Sequence, residues 1–549
     1  MINFLLWVPL AAGVIACLAP RRFTPWVAAA GAFIALDLAI RLVTDFDSDF
    51  VGIQHPVDES WIPDLGVRYQ LGVDGISVFL VLLTAVLWFA ATAWSAVRTP
   101  ERPKTYFFLL ALAETATLGA FLAQDLLLFV LFFDLMLIPF YFLFGSWGEE
   151  HPGREGEGTI TPSRATVKMI VYTLVGSLLM LAGAIATGIF AGDGTPQFSI
   201  QALAADPLGE GTQNWIFWFF AAAFLVKMPA FLLHGWMPDA YRVAPLPALA
   251  VFSGVLSKVG AYGFLRVVLP IFPDATVNFQ EVLLVIALAS VLYGSVMAFT
   301  QTSARLVAGY SSVAQLGFIT LGIFALRPDG ADGAVLQMVN HGLVIAPLLL
   351  IFVVLSERAG TDDITKMGGL AMRAPVLAAI FLIVTMALLA IPGSANFVGE
   401  FYILNGVFQE KVVFAIVASL GIAMAAYYAL RLFQASMHNR KRDDVESREI
   451  SWREGAIVTG LVACIVALAL YPQLVLKRTD IAAHGALFYA SCGHLQEQRP
   501  EEGKSPPLQL LGHSRPLFLS EPRPAECERI NDALSRLIDP ETAEIQTID

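Results

Sequence analysis

Cysteine is scarce in this sequence and poorly spaced for metal chemistry. Of the four present, Cys17 and Cys464 lie in apolar runs and Cys492 and Cys527 in a polar stretch near the end, with no Cys-x-x-Cys pair anywhere. No metal cluster or iron–sulfur centre is therefore expected in this chain. Neither a Gly-x-Gly-x-x-Gly nor a Walker motif follows a strand, which argues against nucleotide binding, so any redox chemistry must belong to other subunits. Charge is scarce as well, at 15% of 549 residues, whereas 57% are hydrophobic. Apolar stretches of roughly twenty residues recur from the start to about residue 475, the composition of an all-α polytopic membrane protein. The first stretch, Met1 to Pro20, is followed by Arg21 and Arg22 but has no basic start and no small-residue cleavage site. It reads as a retained helix and not as a cleaved signal peptide. The formal charge of -12 comes largely from loops after Asp45 and Trp147 and from the C-terminal region, a pattern of solvated loops.

A hydropathy window of about nineteen residues places spans near 2–20, 24–45, 75–97, 105–122, 124–146, 166–191, 213–234, 245–270, 279–301, 305–326, 332–356, 374–407, 411–437 and 454–472, about fourteen helices in all. Lysine and arginine concentrate in alternate loops, those beginning at Arg21, Arg98, Gly148, Gly235, Gln301, Glu357 and His438. The positive-inside rule then puts both termini on the outer, periplasmic side, although Lys477 and Arg478 argue mildly the other way. Two spans, the seventh and the twelfth, are expected to break near their middles, at Lys227-Met-Pro229 and at Ala390-Ile-Pro392-Gly393-Ser394. Interrupted helices in corresponding positions point to an inverted-repeat architecture, spans four to eight (105–270) mirrored by nine to thirteen (279–437). These follow an N-terminal group of three helices with loops (1–104) and precede a last helix (454–472). From 477 to 549 the composition turns polar, with seven prolines between Pro500 and Pro540, so a largely disordered tail is expected, with one short amphipathic helix possible over 526–538.

The functional signal is charge at membrane depth. Glu114, Asp134, Lys227, Lys258, Glu400 and Arg431 fall inside or near the ends of apolar runs, with His234 and His341 as titratable companions. A charge at the bilayer centre costs several kcal/mol even on lenient scales, roughly 2.5–3.5, so it asks for a functional reason. Low dielectric disfavours the charged form of acids and bases alike, bringing both toward neutrality where protons exchange; pairing opposes this and breaking the pair restores it. Asp134, taken alone, could be a buried carboxylate satisfied by a neighbouring helix. Lys227 changes that reading, because an acid and a base on nearby helices form a switchable ion pair. Lys258 sits near the centre of its span, too deep to snorkel easily, beside Ser253 and Gly254, which would admit close packing and water. His234 falls seven residues after Lys227 and could share its polar file if the helix resumed after Pro229; a plain helix-end histidine is the alternative. Glu400 follows the second break and is expected to line a hydrated cavity, with His341 of similar character before Pro347. The blander readings go to Asp37 and Arg41 as an i, i+4 pair, Glu114 bonded to a neighbour, Asp125 near an outer loop, and Arg431 paired or snorkelling.

At these residues the chain resembles the M-type, antiporter-like subunit of proton-translocating NADH:quinone oxidoreductase, respiratory complex I. The resemblance spans roughly residues 60–475 and rests on Leu-Gly-Val-Asp74-Gly-Ile-Ser, on Gln124 through Pro139, on Lys227-Met-Pro-Ala-Phe-Leu-Leu-His234-Gly-Trp-Met-Pro-Asp239-Ala-Tyr241, on Tyr310 through Phe318, and on Val398-Gly-Glu400-Phe. It implies a fourteen-helix core of two inverted five-helix repeats. It also implies roles: Asp134 as the ion-pair carboxylate, Lys227 as its partner, Lys258 as the connecting lysine and Glu400 as the terminal proton carrier. Quinone reduction elsewhere would drive protons through this relay in a bacterial inner membrane, with NADH, FMN, iron–sulfur clusters and quinone in other subunits and none in this chain. L-type and N-type antiporter-like subunits would be its neighbours in the membrane arm. The alternative is the D-type subunit of a multisubunit sodium/proton antiporter, which shares this apparatus. Two positions depart from the pattern: Asp134 stands where the family usually has glutamate, and Gln315 where it often has histidine, so a relay step there would need ordered water.

Overall fold

The computed structural model describes residues 1–496 apart from 51, 153–157, 193, 439–445 and 447. The expected short helix over 526–538 and Cys527 lie outside the described residues. Apolar runs bounded by loop residues become helices because a chain in hydrocarbon must satisfy its backbone groups internally. In order these are α1 (Ile2–Leu18), α2 (Thr24–Thr44), α3 (Ser77–Val97), α4 (Pro103–Leu122), α5 (Leu126–Trp147), α6 (Pro162–Ala191), α7 (Glu210–Lys227), α8 (Met237–Val243), α9 (Leu246–Ile271), α10 (Gln280–Thr300), α11 (Ala304–Phe324), α12 (Pro328–Ala359), α13 (Pro375–Leu388), α14 (Ala395–Glu410), α15 (Val412–Met437), α16 (Trp452–Leu470) and α17 (Gln473–Gln496). Proline opens several of them, where its missing N–H is no loss. Among the described residues eleven helices are long and apolar enough to cross a membrane, fewer than the expected fourteen. The difference has a physical source: α1 is short, and the two segments expected to be interrupted yield pieces of 18 residues or fewer.

Helices α9, α11 and α12 form the centre, the first two wholly buried and the third nearly so, while α2, α6, α10, α15 and α16 keep one apolar face outward. Glycines set the closest approach at the centre. A Cβ on Gly254 of α9 would meet Leu87, and one on Gly342 of α12 would fall 2.6 Å from the Gly254 carbonyl, so these two helices touch backbone to backbone. The close packing expected around Gly254 is present. Helix α9 also carries two π-type turns, Phe252–Leu256 and Phe264–Val268, on either side of Lys258.

Two features were not anticipated. Gln54–Ile62 (β1) and Val67–Val73 (β2) pair antiparallel, Gln54 opposite Val73 and Ser60 opposite Arg68, and the hairpin's end packs on the α4–α5 turn through Leu71 and Ala123. The polar tail expected from residue 477 begins instead as α17. Its apolar residues Val475, Leu476, Ala483, Ala486 and Leu487 are buried, Thr479 bonds back to the Val475 and Leu476 carbonyls, and the helix lies against α12 and the end of α9. The i, i+3, i+4 spacing of those residues gives α17 an apolar stripe that the average polarity of the region concealed.

The bland expectations for rim charges are met in kind. Arg41 bonds Asp37 at 2.8 Å, Asp125 caps α5 by accepting the Leu128 N–H, and Arg431 donates to the Phe299 and Gln301 carbonyls at the end of α10. Arg98 joins Glu357 and Glu454, tying α3, α12 and α16 together.

Candidate functional site

Helix α7 ends at Lys227, and the chain turns through 228–236 before α8 begins. Pro229 supplies no N–H there, and Leu232 adopts φ 73°, a left-handed conformation that stops the helix from resuming. The same construction recurs between α13 and α14, where Pro392 lies in the loop, Ala390 has φ 55° and Gly393 has φ 92°. The first loop directly follows buried Lys227, and the second precedes the helix that carries buried Glu400.

Lys227 is 5% exposed, and its Nζ has no hydrogen-bond partner, sitting 4.5 Å from the centroid of the Phe133 ring. Asp134, the residue next to that phenylalanine, is half-buried with Oδ1 unpartnered. The two side chains do not form a closed ion pair, yet each is the charged group that acts electrostatically on the other. A cation–π contact of this kind is worth a kcal/mol or two when desolvated, roughly the strength needed to hold an ammonium between partners without locking it.

Lys258 is fully buried, and its amine donates to the Ser253 carbonyl at 2.7 Å and approaches Ser257 Oγ at 3.3 Å. The π-type turn explains the first contact, since residues five apart are brought together there. His341, on the facing helix beside Gly342, is the histidine on which Lys258 acts electrostatically, and both of its ring nitrogens lack partners. One helical turn before it on α12 stands Gln337, whose Nε2 donates to Gln315 Oε1 at 2.7 Å. Gln315 Nε2 in turn donates to Glu400 Oε1 at 2.7 Å, leaving Glu400 Oε2 without a partner. Lys258, His341, Gln337, Gln315 and Glu400 are each 1% exposed or less.

These side chains make two groups in an apolar interior, Asp134 with Lys227, and Lys258 and His341 with Gln337, Gln315 and Glu400; helices α7 and α9, which carry the two lysines, pack together, and in order the side chains make a candidate polar file. Its members carry ionisable groups or amides that can both donate and accept, which is what proton relay needs. Gln315, which cannot titrate, bonds Glu400 directly through its amide. Gln337 was missed by sequence reasoning, although its i, i+4 spacing from His341 on one helix face was a usable signal. His234 departs from its expected place. Because the helix does not resume after Pro229, the imidazole is not two turns along from Lys227 but lies among Phe231, Tyr293 and Tyr310, with Nδ1 unpartnered. Glu114, expected to bond a neighbour, is 2% exposed with Oε1 unpartnered.

A family model described as "NADH:quinone oxidoreductase/Mrp antiporter, TM" matches residues 123–425, which contain every member of this file. NADH-quinone oxidoreductase subunit M of Rhodobacter capsulatus is 35% identical over 493 residues, covering 86% of this chain and 94% of that protein. Among solved structures, a chain of respiratory complex I from Thermus thermophilus superposes with a TM-score of 0.81 at 30% identity, over 89% of this chain and all of the other. A chain of the Mrp complex from Dietzia superposes with a TM-score of 0.77 at 22% identity, over 90% of this chain and 98% of the other, a likeness of fold alone.

Proposed function

This chain belongs to the family of NADH-quinone oxidoreductase subunit M, and from that premise we propose that it moves protons across the membrane through the buried file from Asp134 to Glu400. The observation that carries this is the number of ionisable groups buried along it. Two lysines, a histidine and a glutamate are at most 5% exposed inside an otherwise apolar core, and the glutamate end is joined by amides to the helix that carries the histidine. Ordinary packing would not maintain four such groups at depth, given the cost of each.

In this reading Ile2–Leu18 and the two interrupted segments join the eleven long helices to make fourteen spans. The interruptions at 228–236 and 389–394 are equivalent points of two inverted repeats, 105–270 and 279–437. Quinone reduction in other subunits supplies the energy; NADH, FMN, iron–sulfur clusters and quinone are held there. The Asp134–Lys227 contact is the switch. Aspartate is one methylene shorter than the usual glutamate, which accords with the open geometry seen here, and closing the pair needs a water or a small helix shift. When the pair opens, Lys227 can pass a proton toward Lys258, whose amine is oriented by the Ser253 carbonyl. From there His341, Gln337 and Gln315 lead to Glu400, the last group that can hold the proton before release. His234, outside the file, contributes to the wall around the first interruption.

Mass spectrometry of subunits that co-purify with the tagged chain tests the assignment. Dehydrogenase and quinone-site subunits of complex I, with L-type and N-type neighbours, are expected. Sodium-antiporter subunits in their place, with sodium-dependent dissipation of a pH gradient in vesicles, would overturn it in favour of the D-type antiporter reading.

A further inference from the structure

Where α17 lies on the start of α12, three potential ligands meet. Asp480 and His484 stand one turn apart on α17 and so share a face, and Asp332 projects from the first turns of α12. His484 Nε2 lies 3.3 Å from Asp480 Oδ1 and 3.5 Å from Asp332 Oδ2, and one ligand atom from each residue falls within 4.8 Å of the others. Both carboxylates lie within ion-pair distance of that nitrogen, which is itself shielded from solvent. The Asp332 side chain is only 9% exposed, and its second oxygen, Oδ1, is buried with no partner. No lysine or arginine among the described residues pairs with Asp332 or Asp480, and Asp329, close enough to act on both Asp332 and His484, adds further negative charge.

We propose that Asp332, Asp480 and His484 bind a divalent zinc-class cation. The spacing carries the argument. Four ligands around zinc at about 2.0–2.1 Å have edges of about 3.3–3.4 Å between neighbouring ligand atoms, close to the two nitrogen–oxygen separations seen here. With the imidazole neutral, a cation can take the place of its proton between the two converging carboxylates, and the buried, unsatisfied Asp332 Oδ1 adds a further donor atom. The His484 and Asp480 side chains are 40% and 54% exposed, so the ion can enter from solvent and a water can complete the shell. Bound there, it fastens α17 to the helix that carries Gln337 and His341.

The test is hydrogen–deuterium exchange on the full-length chain, purified in detergent with the subunits it carries, with and without micromolar zinc. In the wild type, zinc is expected to slow exchange in peptides from 473–496 at least tenfold, and in Asp332→Asn and His484→Gln to have no effect on them. Matching exchange of the metal-free variants and wild type shows that the helix remains folded in both. Unchanged wild-type exchange on adding zinc, or equal protection in the variants, overturns the proposal. Zinc retained after desalting, measured by elemental mass spectrometry, should be one ion per chain lower in each variant; equal content also overturns it.

Discussion

Gln315 joins Gln337 to Glu400 in the proposed file, and replacing it with leucine isolates the contribution of its amide. The substitution nearly conserves volume but removes both the donor to Glu400 Oε1 and the acceptor for Gln337 Nε2, each at 2.7 Å. Glu400 Oε2 already lacks a partner, so the carboxyl group loses its one hydrogen bond in this structure, and Gln337 loses a buried acceptor. A hydrogen bond to a charged group is worth about 1.5–3 kcal/mol, and a neutral one about half that. If only 2–3 kcal/mol of this enters the barrier for the step onto Glu400, transfer slows by roughly 30- to 150-fold. The assay separates assembly from relay: NADH:ferricyanide activity of membranes reports assembled dehydrogenase, and quinone reduction with proton uptake into inverted vesicles reports the coupled reaction. Gln315→Leu should keep the first and lose at least tenfold of the second. Gln315→His, whose imidazole both donates and accepts, should recover most of it. Wild-type coupled rates in Gln315→Leu would show that protons do not pass this residue.

Three further outcomes follow from the same geometry. Gly342→Ala places a methyl 2.6 Å from the Gly254 carbonyl and should cost about 1–3 kcal/mol through displacement of α9 from α12, read as a smaller fraction of intact complex on native gels. Arg98→Ala leaves Glu357 and Glu454 without their shared partner and should lower the thermal midpoint in detergent by several degrees, about 1–3 kcal/mol, with the proton-to-electron ratio of surviving complex unchanged. Lys258→Met should stop coupled quinone reduction while leaving ferricyanide activity intact, whereas Lys258→Arg, too large for the contact with the Ser253 carbonyl, should restore little; full activity in both would remove Lys258 from the path.

What could be read from residues alone divides along a physical line. Hydropathy and proline marked the eleven long apolar helices and the proline-containing loops after α7 and α13, because the bilayer enforces length and proline removes a donor whatever the tertiary context. Lys227, Lys258, Glu400 and Asp134 stood out because charge inside an apolar run is costly before any neighbour is known. Gln337 did not stand out, and Gln315 did so only through the family resemblance. Gln337 and Gln315 have no such cost signature, and their role appears only when α11, α12 and α14 are packed together. His234 went astray because a seven-residue spacing implies a shared face only on a continuous helix, and Leu232 at φ 73° breaks the helix. Helix α17 was concealed for a similar reason: average polarity was high while the apolar residues were gathered on one face, and only α12 and α9 show what that face meets. The π-type turn at Phe252–Leu256 packs against α12, a contact that no local pattern encodes.

The central claim is that the Asp134–Lys227 pair switches a proton path, and the proton-to-electron ratio of the assembled complex carrying Lys227→Ala tests it most directly. Measured as protons moved per NADH oxidised in sealed vesicles, with ferricyanide activity confirming assembly, that ratio should fall below wild type and coupled turnover should collapse. A wild-type ratio at wild-type turnover would contradict the account.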